Sequence, residues 1–457
     1  MSTLQLKAFL VAGLAAAASA PAQTVTNDDT ILKQIIIFGR HSVRAPVISP
    51  ASYAQYSPRA YPDFGVPAGY LTAHGQQAAA LLGSYFRDYL LSQGLLTGDA
   101  ATDLSHCFFR ANSIQRSNVT AMKLGEGLIP GATIPVHSYA LNQIDPVFEP
   151  IATNVAAIDT DRAAREVKEI YNSGTALASA YSSEFSLLRS VLYNYQNGVQ
   201  PAPTAPAGIT DPTTLPIPLD AITSGVYCGN VVDIGALLAT QNAADPFVME
   251  YADGMPLSDV GWGKLTADTI SQQTRIATLD LRISFTTPYV DQVQSSNAAA
   301  HVLRTMKQAV LGEPIPGAFG DPTSQVLVVT SSDVYVGGLA GLLDLHWQLP
   351  GYQEDFCAPG GALVFELRQS RRTGEFLVRT FYTTQSLDQL RNLTPLTLSQ
   401  PPETMQLRIP GGSRPGTSFD VKFDTFEKLL SHAIGWQYVQ DPSKEVPPGV
   451  LTGVPLQ

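Results

Sequence analysis

Residues 40–46 read Arg-His-Ser-Val-Arg-Ala-Pro, one glycine after the apolar run Ile35-Ile36-Ile37-Phe38. Each guanidinium stays charged and disfavours an imidazolium beside it, so His41 between Arg40 and Arg44 is expected to be neutral. Arginines gathered at one point suit an anion, and the planar guanidinium fork matches phosphate bidentately. With phosphate bound, its charge offsets the arginines and a neutral imidazole becomes a nucleophile toward phosphorus. A second apolar run, "SQVLVVTSSD" at 324–333, closes on Ser332 and Asp333. In an open α/β sheet, ligands bind in the crevice beyond the carboxyl ends of the strands. Two such ends meeting there would make a phosphoryl-transfer site.

The elements that must position these residues follow from the hydrophobic pattern. Ile31–Phe38 reads as a fully buried strand, and 72–92 as a helix capped by Thr72. Another helix is expected over 115–127. Segment 160–196 is long and helical, and the proline-rich stretch after it marks a loop or linker. A further helical stretch covers roughly 220–310. "GALVFELRQ" and "EFLVRTFYTT" alternate like an antiparallel hairpin, and the proline-rich tail from Pro442 reads as irregular. Strand-helix patterns at both ends around a helical middle predict an α/β domain interrupted by a helical insertion.

Composition sets the wider bounds. A chain of 457 residues with 44% hydrophobic and 15% charged residues is globular and long enough for two structural units. A net charge of −11 and a pI near 5.1 argue against nucleic acid or an anionic membrane as partner. Lys7, the apolar stretch Ala8–Ala18 and the small residues up to Ala22 read as a secretory signal peptide over 1–22. Beyond it no run reaches about 18 apolar residues, so a secreted protein without a membrane span is expected. Cys107, Cys228 and Cys357 allow one disulfide and leave one thiol over. Sequons at Asn118 and Asn392 could carry glycans, that at Asn118 on a helix face pointing away from Arg116. No zinc- or magnesium-type cluster is evident. His74, His106, His137, His301, His346 and His432 show no metal spacing; His74 reads as a helix-entry residue and His137 as structural.

The motif Arg-His-x-x-Arg-x-Pro resembles the signature of the histidine acid phosphatases. "GYLTAHGQQAAALLGSYFR" is similar to the segment and helix that follow it in that family, and "SIQRSNVTAMKLGEGLIPG" to the helix carrying a third phosphate-binding arginine. "IDPVF", "DGMPLSDVGWGKL" and the block from Ser331 to Leu367 resemble the bacterial phytase and glucose-1-phosphatase branch. The resemblance spans most of 31–400. It implies the histidine phosphatase fold: an α/β domain from 23–145 and 285–457, its central, mostly parallel sheet flanked by helices, and an inserted mainly helical cap over 146–284. It further implies His41 as nucleophile, Arg40, Arg44 and Arg116 as phosphate clamp, and Asp333 as the acid that protonates the leaving alcohol. No cofactor or metal is required, and the partner is a small phosphomonoester or another small organic substrate.

Three positions depart from the family pattern. The histidine of the second His-Asp motif is Ser332, which can donate a hydrogen bond to phosphate but without charge assistance. A glycine of the signature is Ser42, whose added Cβ strains a positive φ and whose hydroxyl could enter the phosphate site. A hydroxyl residue after the proline is Val47. These changes leave three readings open. One is an acid phosphatase with reduced turnover. The second is a relative that binds an anion without turnover. The third uses His41 and Asp333 for acid–base chemistry on a non-phosphorylated metabolite. Ile48 and the mixed charges of 274–300, Arg275 and Arg282 against Asp280 and Asp291, make phytate a poor fit and a small monophosphate a better one.

Overall fold

The computed structural model describes residues 29–193, 204–215, 235–413 and 419–453. The expected signal peptide and Cys228 lie outside them. The described chain opens with β1 (Thr30–Arg40), then α1 (Pro50–Tyr53), α2 (Ala73–Ser92), α3 (Ala100–Ser105), β2 (Cys107–Ala111), α4 (Gln115–Leu128) and β3 (Val136–Ser138). Helices α5 (Thr160–Tyr171), α6 (Gly174–Ala180), α7 (Ser182–Leu192), α8 (Gly235–Ala252), α9 (Ala267–Ser284) and α10 (Pro288–Leu311) form the middle. β4 (Val326–Ser331) leads into α11 (Asp333–Leu342), then β5 (Ala362–Ser370), β6 (Phe376–Thr384) and α12 (Leu387–Arg391). β7 (Glu403–Gln406), β8 (Val421–Lys422), α13 (Phe423–Ala433) and β9 (Gly449–Leu451) complete it.

One mixed sheet organises the fold, in the order β7-β6-β5-β1-β4-β2-β3-β9, with β8 paired to β6. β1, β4, β2 and β3 run parallel at its centre. The hairpin β5–β6 and strands β7 and β8 extend it antiparallel on one side, and β9 on the other. The apolar runs explain the centre: Ile35–Phe38 on β1 and Val326–Val329 on β4 are at most 1% exposed, as strands covered on both faces must be. The proline-rich tail, expected to be irregular, supplies β9 as the partner that covers the edge of β3. The expected helix over 160–196 is three shorter ones, broken at Asn172, whose φ is +62°, and at Tyr181.

Helix α2 starts as its sequence dictates: Thr72 Oγ1 accepts from Gly75 N at 2.9 Å. Gly75 is needed for a second reason, because a Cβ there would collide with the Val43 carbonyl. That absence of a side chain lets the helix press against the loop after β1. Cys107 and Cys357 both carry free thiols, so the described residues contain no disulfide. Burial pushes the Cys107 thiol up to about 12.

Candidate active site

Parallel pairing sets the two sequence clusters side by side. Arg40 on β1 is in register with Ser331 on β4, so His41 and Ser332 leave adjacent strands at the same end of the sheet. The loop after β1 is then pinned residue by residue. His41 N donates to Ser331 O, Gly360 N donates to His41 O, and Ser42 N donates to Thr120 Oγ1 at 3.1 Å. Thr72 N donates to Val43 O and Ala45 N to Tyr70 O. Helix α4, which carries Arg116, is stitched to the end of β4 by Thr330 Oγ1 donating to Ser117 O at 2.9 Å.

Within this frame His41 is 1% exposed, and its Nδ1 lies 2.9 Å from the Ser42 carbonyl. A carbonyl only accepts, so Nδ1 carries the proton and Nε2 keeps its lone pair. Burial, then the charges of Arg116, Arg40 and Arg44, hold the imidazole well below the usual histidine range. All three arginines therefore act on this one ring. Arg40 donates to the Cys357 carbonyl at 2.6 Å and pairs with Asp333 at 3.1 Å. Arg116 reaches Gly69 O at 3.3 Å, and Gly69 has φ +75°, where a Cβ would sit 3.2 Å from the Arg116 Nη1. Val47 Cγ1 lies on the same side of Gly69.

Sequence reasoning did not single out the partner of Arg44. The Asp245 carboxylate on α8 accepts from Arg44 Nη1 at 2.9 Å and Nη2 at 3.2 Å, with both side chains buried. This bidentate pair joins residues 201 apart. No motif marks Asp245, which lies one residue before a proline inside a helical stretch.

Ser332 is the N-cap residue of α11, yet its hydroxyl makes no cap bond and is buried without a partner. Asp333, the first residue of that helix, is the more open one, its side chain one-third exposed. The Ser42 hydroxyl is likewise buried and unpartnered. Ser42 is not among the described non-glycine residues with positive φ, so serine brings no backbone strain here. Around Arg40, Asp245 and Asp333 the wall is made of Gln241, Val248, Ile270, Gln273, Thr274 and Phe356. The enclosed part of this cavity is about 20 Å³. Neither Arg275 nor Arg282 lines it; they pair with Glu184 and with Asp355.

Asn118 is a correction. It is fully buried on α4, and its amide donates to the carbonyls of Asn112 and Ile114, both at 3.1 Å. The threonine of its sequon, Thr120, is the acceptor for Ser42 N. Helix α4 is buried on nearly all sides, so the fold leaves no room for a glycan on Asn118. Asn392 is exposed at the end of α12. His74, His106 and His137 hold main-chain carbonyls, and His301 stacks on Phe319. Among the described residues no His, Cys, Asp and Glu group is arranged to hold a metal ion, and no helix is long and apolar enough to cross a membrane.

No family model matches the chain. The glucose-1-phosphatase of Salmonella typhimurium is 26% identical over 433 residues, 94% of this chain and 98% of that protein. The phytase AppA of Escherichia coli is 28% identical, over 83% of this chain and 87% of that one. The solved structure of Hafnia alvei phytase in complex with tartrate superposes with a TM-score of 0.78 at 26% identity, covering 91% of this chain and all of that one. These relatives are phosphatases, and the mixed sheet with flanking helices is theirs.

Proposed function

We propose that this chain, a relative of the histidine acid phosphatases of the glucose-1-phosphatase and phytase branch, is a secreted phosphomonoester hydrolase that works through a phosphohistidine. The observation that carries the reading is the tautomer of His41: Nδ1–H is held by the Ser42 carbonyl, so the free lone pair is on Nε2 amid three guanidiniums. Nε2 attacks phosphorus, the P–O bond to the alcohol breaks, and Asp333 gives its proton to the departing alkoxide. Water then attacks the phosphorus, Asp333 takes its proton, and the P–N bond breaks to return His41 and inorganic phosphate. Arg40, Arg44 and Arg116 hold the phosphoryl oxygens through both steps.

Turnover is slow on this reading, because Ser332 is a weaker donor than a histidine and two arginines already face carboxylates. Those two pairs also favour the second reading, an anion site without turnover. Gln241, Gln273 and Thr274 meet the leaving group with no cation beyond the clamp, which supports a small monophosphate over a polyphosphate. The helices between β3 and α10 act as the cap over 146–284, and the strands as the α/β unit. Hydrolysis of p-nitrophenyl phosphate between about pH 3 and 6, lost in His41→Ala, supports the proposal, as does trapping of an acid-labile phosphoprotein. Vanadate binding without hydrolysis would favour the second reading.

A further inference from the structure

Helix α11 serves two places. Its first residue, Asp333, belongs to the anion site; its second half forms the floor of a separate cleft of about 430 Å³. None of the proposed catalytic or clamp residues lines that cleft. Asp291 on α10 does, and it is 2% exposed. Its Oδ1 accepts from Ser295 Oγ at 2.6 Å, while no hydrogen bond or cation reaches Oδ2 among the described residues. α11 meets this carboxyl with bare backbone, for a Cβ on Gly338 or Gly341 would collide with it. A second buried polar group lines the same cleft: Thr278 on α9 is 5% exposed and its Oγ1 has no partner.

The other charges around the cleft are already committed. Arg282 on α9 pairs with Asp355 at 2.7 Å and Glu354 at 3.3 Å, and His346 lies between Asp355 and Asp344. Tyr171 of α5 is the remaining titratable group, and the part of α11 that lines the cleft contributes no charge. A buried carboxyl with no counter-charge is costly to ionise, so what this cleft lacks is a cation with N–H donors. Leu281, Pro288, Leu342 and Leu345 offer an apolar wall beside it.

We propose that this cleft is a second ligand site, for a small organic ammonium. Its N–H groups donate to Asp291 Oδ2, and its apolar body lies against Leu281, Leu342 and Leu345. Burial pushes the empty site's Asp291 carboxyl well above the usual carboxylate range. Pairing with an ammonium requires the carboxylate, so the proton leaves to solvent when the ligand binds.

Calorimetric titration of the full chain with benzylamine at pH 7, in two buffers of different ionisation enthalpy, tests this. Saturable binding that persists in the presence of vanadate and releases about one proton is expected. Affinity should fall at least tenfold in Asp291→Asn, which keeps the Ser295 bond, and for the neutral analogue benzyl alcohol. Leu345→Trp fills the cleft from its apolar wall and should abolish binding even where Asp291→Asn folds poorly. Absence of saturable binding, displacement by vanadate, or equal affinity for benzyl alcohol would overturn the proposal.

Discussion

The Arg44–Asp245 pair makes a sharp prediction about the anion site. On the proposed reading an incoming phosphate needs the guanidinium that Asp245 holds in two hydrogen bonds. Two anions on opposite edges of one guanidinium sit roughly 6 Å apart; at an effective dielectric of about 20 they repel by about 2–3 kcal/mol, on the order of thirty- to a hundredfold in Kd. Asp245→Asn removes that repulsion and keeps the shape. It also leaves a buried arginine without its counter-charge, which costs up to about 3–5 kcal/mol of stability. The two effects have opposite signs and separate in one experiment. Thermal unfolding should show a lower Tm for the variant without anion, and a larger rise per added vanadate than in the parent protein. Direct titration should show vanadate binding at least tenfold tighter. Unchanged or weaker vanadate binding would refute the idea that Asp245 competes for Arg44.

Three further outcomes are expected. Ser332→His should raise kcat on p-nitrophenyl phosphate by tens-fold or more, the span of one lost oxyanion donor at about 2–4 kcal/mol; an unchanged kcat counts against Ser332 as the missing donor's position. Glu250 is buried, accepting from Gly261 N at 2.8 Å, and burial pushes its carboxyl from 4.5 up to about 8. The folded state therefore holds a proton that the unfolded state has lost, and this stabilisation declines as pH rises from about 4.5 to about 8. Urea midpoints of Glu250→Gln should lack that decline. His41 acts oppositely, lowering stability as pH falls below 6.5, so the difference between the two proteins carries the test. Expressed in a eukaryotic secretory host, the protein should carry glycan at Asn392 and none at Asn118, as intact-peptide mass spectrometry would show.

Much of this was readable from the chain because the central strands announce themselves. Short apolar runs rich in β-branched residues at Ile35 and Val326 read as strands buried on both faces, and each ends in polar residues. The hairpin β5–β6 and the Thr72 cap were visible for equally local reasons. What escaped was non-local or two-sided. Asp245 meets Arg44 only once α8 packs beside the loop after β1, and nothing near it in the chain says so. Asn118 was expected to face solvent because it stands two residues after Arg116 on the helix, away from that face. The polar groups of that helix are spent inside: Gln115 accepts from Leu71 N, Ser117 donates to Ser331 O, Asn118 donates to Asn112 O, and Thr120 accepts from Ser42 N. A polar stripe predicts water only where a helix has one free face.

The order of the strands has a consequence for redesign. The proposed phosphate-holding groups come from the ends of β1 and β4 and from α4, whereas Gln241, Asp245, Gln273 and Thr274 come from α8 and α9 alone. On the proposed reading one stretch, 235–284, frames the leaving group while the strand ends remain outside it. Exchanging that stretch for another relative's would transplant substrate preference as a unit, leaving Arg40, His41 and Asp333 untouched.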